Sequence, residues 1–377
     1  MARSVRYAAA AFLAASIFGC KDSGVVVAPP HGLDDHTYVR VLLAHPIGPA
    51  GKAVQSMQIS EPDLFVCAGH DGVWRLNLRA PGSWDSLGPG SRNPGPLAVR
   101  GAVDLDVSGN TLLVACDESA PGVDPDSMVA VWKSLDRGRT WVKSDSGIPE
   151  SRKYPQEANA MLGIRRSPSS PQIILAVYGP AAYQSTNEGS SWRLVIGERG
   201  LMVNDDHLVW NPHKSGEVWF FGETPTDEGY IQRSGDYGMT RAAVSFQGLG
   251  LPPTIGASSI CFDRGDPSVV YAATGQALLK SSDGGTNWTI PSLAASAPFI
   301  GIIAEDTRSP HALFLAGTTD VYHSTDGGQT MNLLGTIPGG AIVSLLPDIA
   351  GAQILIGTDR GVYALPFGSM SSSRTMP

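Results

Sequence analysis

Short apolar runs, rich in β-branched and aromatic residues, recur along this chain and are broken every few positions by Gly, Pro, Ser, Asn or Asp. Runs of this length bounded by turn residues read as strands, and strands in close succession read as an all-β fold. One unit shows the pattern in full. Ser258-Ser259-Ile260-Cys261-Phe262 is followed by Ser268-Val269-Val270-Tyr271-Ala272-Ala273, then Ala277-Leu278-Leu279-Lys280, then Trp288-Thr289-Ile290. The next unit repeats it over 300–303, 312–316, 321–323 and 331–334. Each predicts a four-stranded antiparallel sheet. The last unit offers 342–346, 353–357 and 361–365 but no fourth strand, whereas Tyr38-Val39-Arg40-Val41-Leu42-Leu43 is a strand without a unit. If that strand becomes the missing outer one, the units close into a ring and no edge is left bare.

Where the third strand should turn into the fourth, a polar pattern recurs: Ser-x-Asp-x-Gly-x-Thr-Trp. It is complete at Ser134, Asp136, Gly138, Thr140 and Trp141. Relaxed copies are Ser185, Asn187, Gly189, Ser191, Trp192, and Ser234, Asp236, Gly238, Thr240. Two more are Ser281, Asp283, Gly285, Asn287, Trp288, and Ser324, Asp326, Gly328, Thr330. An Asp or Asn in such a hairpin accepts backbone N–H groups of its own turn, and Gly takes the positive φ that a side chain resists. The Trp is expected to close the hairpin against the blade edge. The acidic positions lie about 43 to 51 residues apart, the spacing of propeller blades. Residues 64–86 form a degenerate unit that keeps Gly82 and Trp84 but not the acidic turn residue. Residues 38–367 span about 330 positions, and at roughly 47 per blade that makes seven, or six if the first unit is misread. The predicted fold is all-β: a single β-propeller over 37–368, seven four-stranded antiparallel blades, an N-terminal strand closing the last, and a disordered tail at 369–377. The motif resembles the Asp-box, or bacterial neuraminidase repeat, of sialidases, sortilin-type receptors and photosystem II assembly factors.

At the N-terminus, Arg3 and Arg6 precede an apolar run from Ala8 to Phe18 that is too short to span a bilayer. It ends in Ile17-Phe18-Gly19-Cys20 before polar Lys21-Asp22-Ser23, which resembles the lipobox of bacterial lipoproteins. The resemblance implies a signal peptide over 1–19, lipidation of Cys20, a tether over 20–36, and a lipid-anchored place in the bacterial cell envelope. A plain secretory peptide is the alternative. The remaining Cys67, Cys116 and Cys261 are odd in number and sit in strand-like runs, so buried free thiols are expected, with a Cys67–Cys116 bridge as the alternative. No CxxC or His-rich spacing points to a metal, and no cofactor is expected. A net charge of -8 argues against a nucleic-acid partner. A monomer is expected.

Because the acidic turns occupy one face, recognition is expected on the other, around the channel mouth. The long polar segments there belong to blades two to four, and the loop Gly88 to Arg100 adds to them. They hold Arg92, Arg100, Asp124, Arg152, Tyr154, Asp205, Asp206, His207, Glu223 and Tyr230. The resemblance to assembly-factor and sortilin-type propellers implies a non-catalytic module that binds a protein or glycan. A sialidase would need three arginines on the substrate carboxylate, a Tyr–Glu nucleophile pair, an acid Asp and an Arg-Ile-Pro signature. That signature is absent. A glycosidase would need paired carboxylates. Ala68-Gly69-His70-Asp71-Gly72-Val73-Trp74-Arg75 resembles the turn of xyloglucan-degrading double-propeller enzymes that carries their base Asp. Thr358-Asp359-Arg360-Gly361-Val362-Tyr363 has the same form, as a generic blade turn would. Asp205-Asp206-His207 reads either as a cation or proton-transfer site or as an acidic loop entering Leu208-Val209-Trp210.

Overall fold

The structure, a computed structural model, describes residues 25–26, 40–87, 101–116, 131–149, 161–178, 181–196, 207–223, 229–246, 248–252, 255–291 and 300–367. In it the apolar runs are strands that pair antiparallel in chain order into seven blades around a central channel. The innermost strands are Ser56–Ser60, Ala102–Ser108, Met161–Arg166, His207–Trp210, Ser259–Phe262, Ile302–Glu305 and Ile342–Asp348. The second strands lie deepest: Asp63–Cys67, Ile174–Tyr178, Val270–Ala273 and Leu313–Ala316 are buried at every residue. Continuous apolar character is what a strand covered on both faces requires. In the fifth blade the outer edge is reduced to a bridge between Lys280 and Thr289.

The core lies between blades. Phe65 and Cys67 pack with Leu105 and Val114 across the first seam, and Trp219 and Phe221 with Phe262 and Val270 across the fourth. Leu64 and Val66 meet Leu355 and Val362 where the ring closes. Cys67, Cys116 and Cys261 are buried free thiols, and burial pushes the Cys67 and Cys261 thiols up.

Closure departs from the expected register. The outer strand of the last blade is His45–Gly48, paired with Gly361–Pro366, instead of the run ending at Leu43. Arg40–Leu43 lies parallel to Asn332–Thr336, the outer strand of the sixth blade. Pro46 and Gly48 conceal the true closing strand in the sequence. Pro is tolerated there because an edge strand can spare one backbone donor. Within the expected tether, Val25–Val26 pairs antiparallel with Arg40–Val41; Cys20 lies outside the described residues.

The acidic turns join third to fourth strands and are built alike. Asp136 Oδ1 accepts from the Thr140 N–H at 2.8 Å and from Ser134 Oγ at 2.8 Å, while Thr140 Oγ1 donates to Oδ2 at 2.7 Å. Asp236 and Asp326 repeat these bonds, and Asn187 and Asp283 keep most of them. Each motif glycine also faces the preceding blade. A β-carbon on Gly138, Gly189, Gly285 or Gly328 would sit 2.6, 2.8, 2.2 or 2.4 Å from Leu87, Leu113, Trp219 or Leu278. The tryptophans reach the same way, correcting the expectation that they close their own hairpin. Trp141 Nε1 donates to Leu87 O at 2.9 Å and Trp192 Nε1 to Ser144 O at 2.7 Å. Only Trp288 bonds its own turn, at Gly285 O.

Candidate functional site

The chain enters each blade from the outer strand of the one before, so every inner strand starts on the face opposite the acidic turns. The first residues of the inner strands therefore surround one mouth. They enclose a cavity of about 320 Å³, within the range of small-ligand sites. Its walls are apolar at Met57, Val103, Val209, Phe221, Ile302 and Val343, and polar at Gln55, Ser56, Asp104, Arg165, His207 and Ser259.

One charged group of each sign is found among the described lining residues. Asp104 and Arg165 pair directly across the second and third blades. Asp104 Oδ1 also accepts from Ser56 Oγ at 2.7 Å, and Oδ2 from the Ile164 N–H at 2.9 Å. Arg165 Nη1 donates to Leu105 O at 3.1 Å and to Ile164 O at 2.9 Å. Beside it, Asp106 and Arg166 repeat the pairing at 3.0 Å; burial pushes the Asp106 carboxyl up, against the pull of Arg166. Ser259 Oγ donates to Ile303 O at 3.2 Å, tying the fifth blade to the sixth. His207, first residue of its inner strand, tilts against Phe221 with ring centroids 5.5 Å apart.

Of the residues expected on the binding face, His207 lines this cavity. Glu223 and Tyr230 lie on the paired strands Val218–Glu223 and Gly229–Ser234, whose ends at Glu223 and Gly229 are on the same face. Arg92, Arg100, Asp124, Arg152, Tyr154, Asp205 and Asp206 lie outside the described residues. Asp71 and Asp359 stand in second-to-third-strand turns on the mouth face, each already engaged. Asp71 pairs with Lys52 at 2.6 Å, and Asp359 accepts from the Ala341 N–H at 2.9 Å.

Sequence reasoning missed the Asp104–Arg165 pair. Its signal was present: two acidic residues two apart inside the apolar strand Ala102-Val103-Asp104-Leu105-Asp106-Val107, and adjacent arginines ending the next inner strand. It also missed a second recurrent turn, between first and second strands, on the acidic-turn face. Asp263 accepts from the Gly265 and Asp266 N–H groups at 2.9 and 3.0 Å, Asp306 from the Arg308 N–H at 3.2 Å, and Asp348 from the Gly351 N–H at 2.9 Å. Each is buried and bonded again by a basic side chain: His311 at 2.9 Å, His323 at 2.9 Å and Arg79 at 2.7 Å. The His311 and Arg79 bonds cross to a neighbouring blade, while Asp306–His323 ties the turn to the third strand of its own blade.

No protein-family model and no curated protein matches the chain. Among solved structures, the GH74 xyloglucanase from Xanthomonas campestris is 18% identical over 85% of this chain and 53% of its own, with a TM-score of 0.63. The GH74 enzyme from Niastella koreensis is 17% identical over 86% of this chain and 44% of its own, TM-score 0.59. A YCF48 protein bound to a D1 peptide is 15% identical over 86% of this chain and 96% of its own, TM-score 0.60. The chain thus spans about half the length of the GH74 enzymes and nearly all of YCF48. These likenesses define the class: a seven-bladed β-propeller, a fold that both glycoside hydrolases and non-enzymatic binding proteins use.

Proposed function

We propose that the chain is a non-catalytic binding module of the bacterial cell envelope, anchored through a lipidated Cys20, which takes a protein or glycan partner at the channel mouth. The observation that carries this reading is the state of the mouth's carboxylate. Asp104 is held by Arg165, Ser56 and the Ile164 backbone, so both its oxygens are engaged in ordering the wall. A glycosidase requires a second carboxyl group about 5 to 9.5 Å from the first, and none lines the cavity among the described residues. The near full-length likeness to a peptide-bound YCF48 supports a protein ligand. On this reading the recurrent acidic turns are Asp-boxes serving as architecture.

The alternative, a paired-carboxylate or sialidase-like glycoside hydrolase, is favoured by the GH74 likeness and by the Asp71 and Asp359 turns on the mouth face. Incubating the full-length chain with fluorogenic sialosides and xyloglucan oligosaccharides distinguishes the two. Inertness, together with binding on peptide or glycan arrays that Val343→Arg weakens, is the expected result; steady turnover would overturn the proposal.

A further inference from the structure

The Asp104–Arg165 pair is asymmetric. The Asp104 side chain is 8% exposed and both its oxygens are occupied, whereas the Arg165 side chain is 38% exposed and faces the cavity it lines. All of its bonds are made through Nη1, to Asp104, Leu105 O and Ile164 O. The Nε and Nη2 donors have no partner among the described residues. In a planar guanidinium those two N–H groups form the edge that takes both oxygens of a carboxylate side by side. The carboxylate of Asp104 holds the guanidinium through Nη1, and the cavity that Arg165 lines has Val103, Val209, Phe221, Ile302 and Val343 among its walls.

We infer that the mouth is a receptor for a carboxylate carried on a short branched apolar body, with Arg165 gripping the acid through its Nε–Nη2 edge. This rests on the reading of the mouth as the binding face. The acid can belong to a free organic acid or to the C-terminus of a peptide ending in an aliphatic residue. Both present the same group, and the cavity volume of about 320 Å³ admits a ligand of that size.

Calorimetric titration of the full-length chain tests the inference with two matched pairs: 4-methylpentanoate against 4-methylpentanamide, and acetyl-Ala-Ala-Leu against its C-terminal amide. A charge-assisted bidentate contact implies at least about tenfold tighter binding of acid than amide in one pair. The pair showing the larger preference identifies the source. The double variant Arg165→Gln with Asp104→Asn, which leaves no lone buried charge, is expected to lose the preference and keep a cooperative melt. Val343→Asp, on an exposed lining position (43%), supplies a second variant, expected to abolish acid binding by like-charge repulsion. Equal binding of acid and amide, no binding of either, or a preference that survives both variants would overturn it. Array binding that Val343→Arg weakens, with no acid preference, removes this inference and leaves the proposed function standing.

Discussion

A β-carbon at position 285 would sit 2.2 Å from the Trp219 ring, while one at position 238 would have 3.4 Å to Leu175. Both glycines are at positive φ, 86° and 89°, so backbone strain is common to the two and the clash is not. Gly285→Ala is therefore expected to cost about 3 kcal/mol or more and Gly238→Ala about 1 to 2, read from urea midpoints. The acidic turn residues titrate in a definite direction. Bonds from the Asn287 backbone and side-chain amide and from Ser281 Oγ hold Asp283 down to about 2. A carboxyl depressed in the folded chain contributes stability above its unfolded pKa and loses it as pH falls, here from about pH 4 to about pH 2. Asp283→Asn should flatten that part of the stability–pH curve. Glu305 has the opposite sign: burial pushes its carboxyl up and Oε1 has no partner among the described residues. Its contribution is lost as pH rises through the folded value, so Glu305→Gln should raise the urea midpoint at pH 7 and not at pH 4. The turn chemistry of these residues was legible in the sequence. Their contacts with the preceding blade were not, because the touching residue lies between 50 and 76 positions upstream (Gly328 and Leu278, Gly189 and Leu113) and no local period records it.

Strands were legible wherever apolar runs met turn residues, and the missing fourth strand of the last unit pointed to the clasp. Its register was not legible, since His45-Pro46-Ile47-Gly48 lacks strand propensity and is held by pairing with Val362 to Ala364. The seam beside it is fastened by Arg79, which pairs with Asp348 at 2.7 Å and with Glu61. Burial alone would raise the Asp348 carboxyl, but Arg79, Gln353 and Gly351 together hold it low. Arg79→Ala leaves that buried acid without its cation and is expected to cost about 2 to 4 kcal/mol, with Arg79→Lys recovering part of it, by thermal or urea unfolding.

The whole molecule divides its labour by face. One rim carries the acidic turns and the Asp263–His311 and Asp348–Arg79 bonds that join neighbours; the other opens on the mouth. The sequence pointed to the rim on which the cavity opens, because the motif's turns had to be on one side. Of the inner-strand residues at the mouth it named His207 alone and passed over Asp104 and Arg165, because a polar residue inside an apolar run reads as an exception until its partner from the next blade is seen. Removing residues 1–49 uncovers two edges at once, those of the sixth and seventh blades, and is expected to give concentration-dependent association in light scattering. The clasp also dictates an order of events during synthesis. Gly48 finds Val362 only after about three hundred intervening residues exist, and joining ends so distant carries a closure entropy that grows with the logarithm of the loop. A nascent chain must therefore hold its first strands idle until Val362 has been made, and a chain stalled before that point emerges with sticky margins in place of a circle.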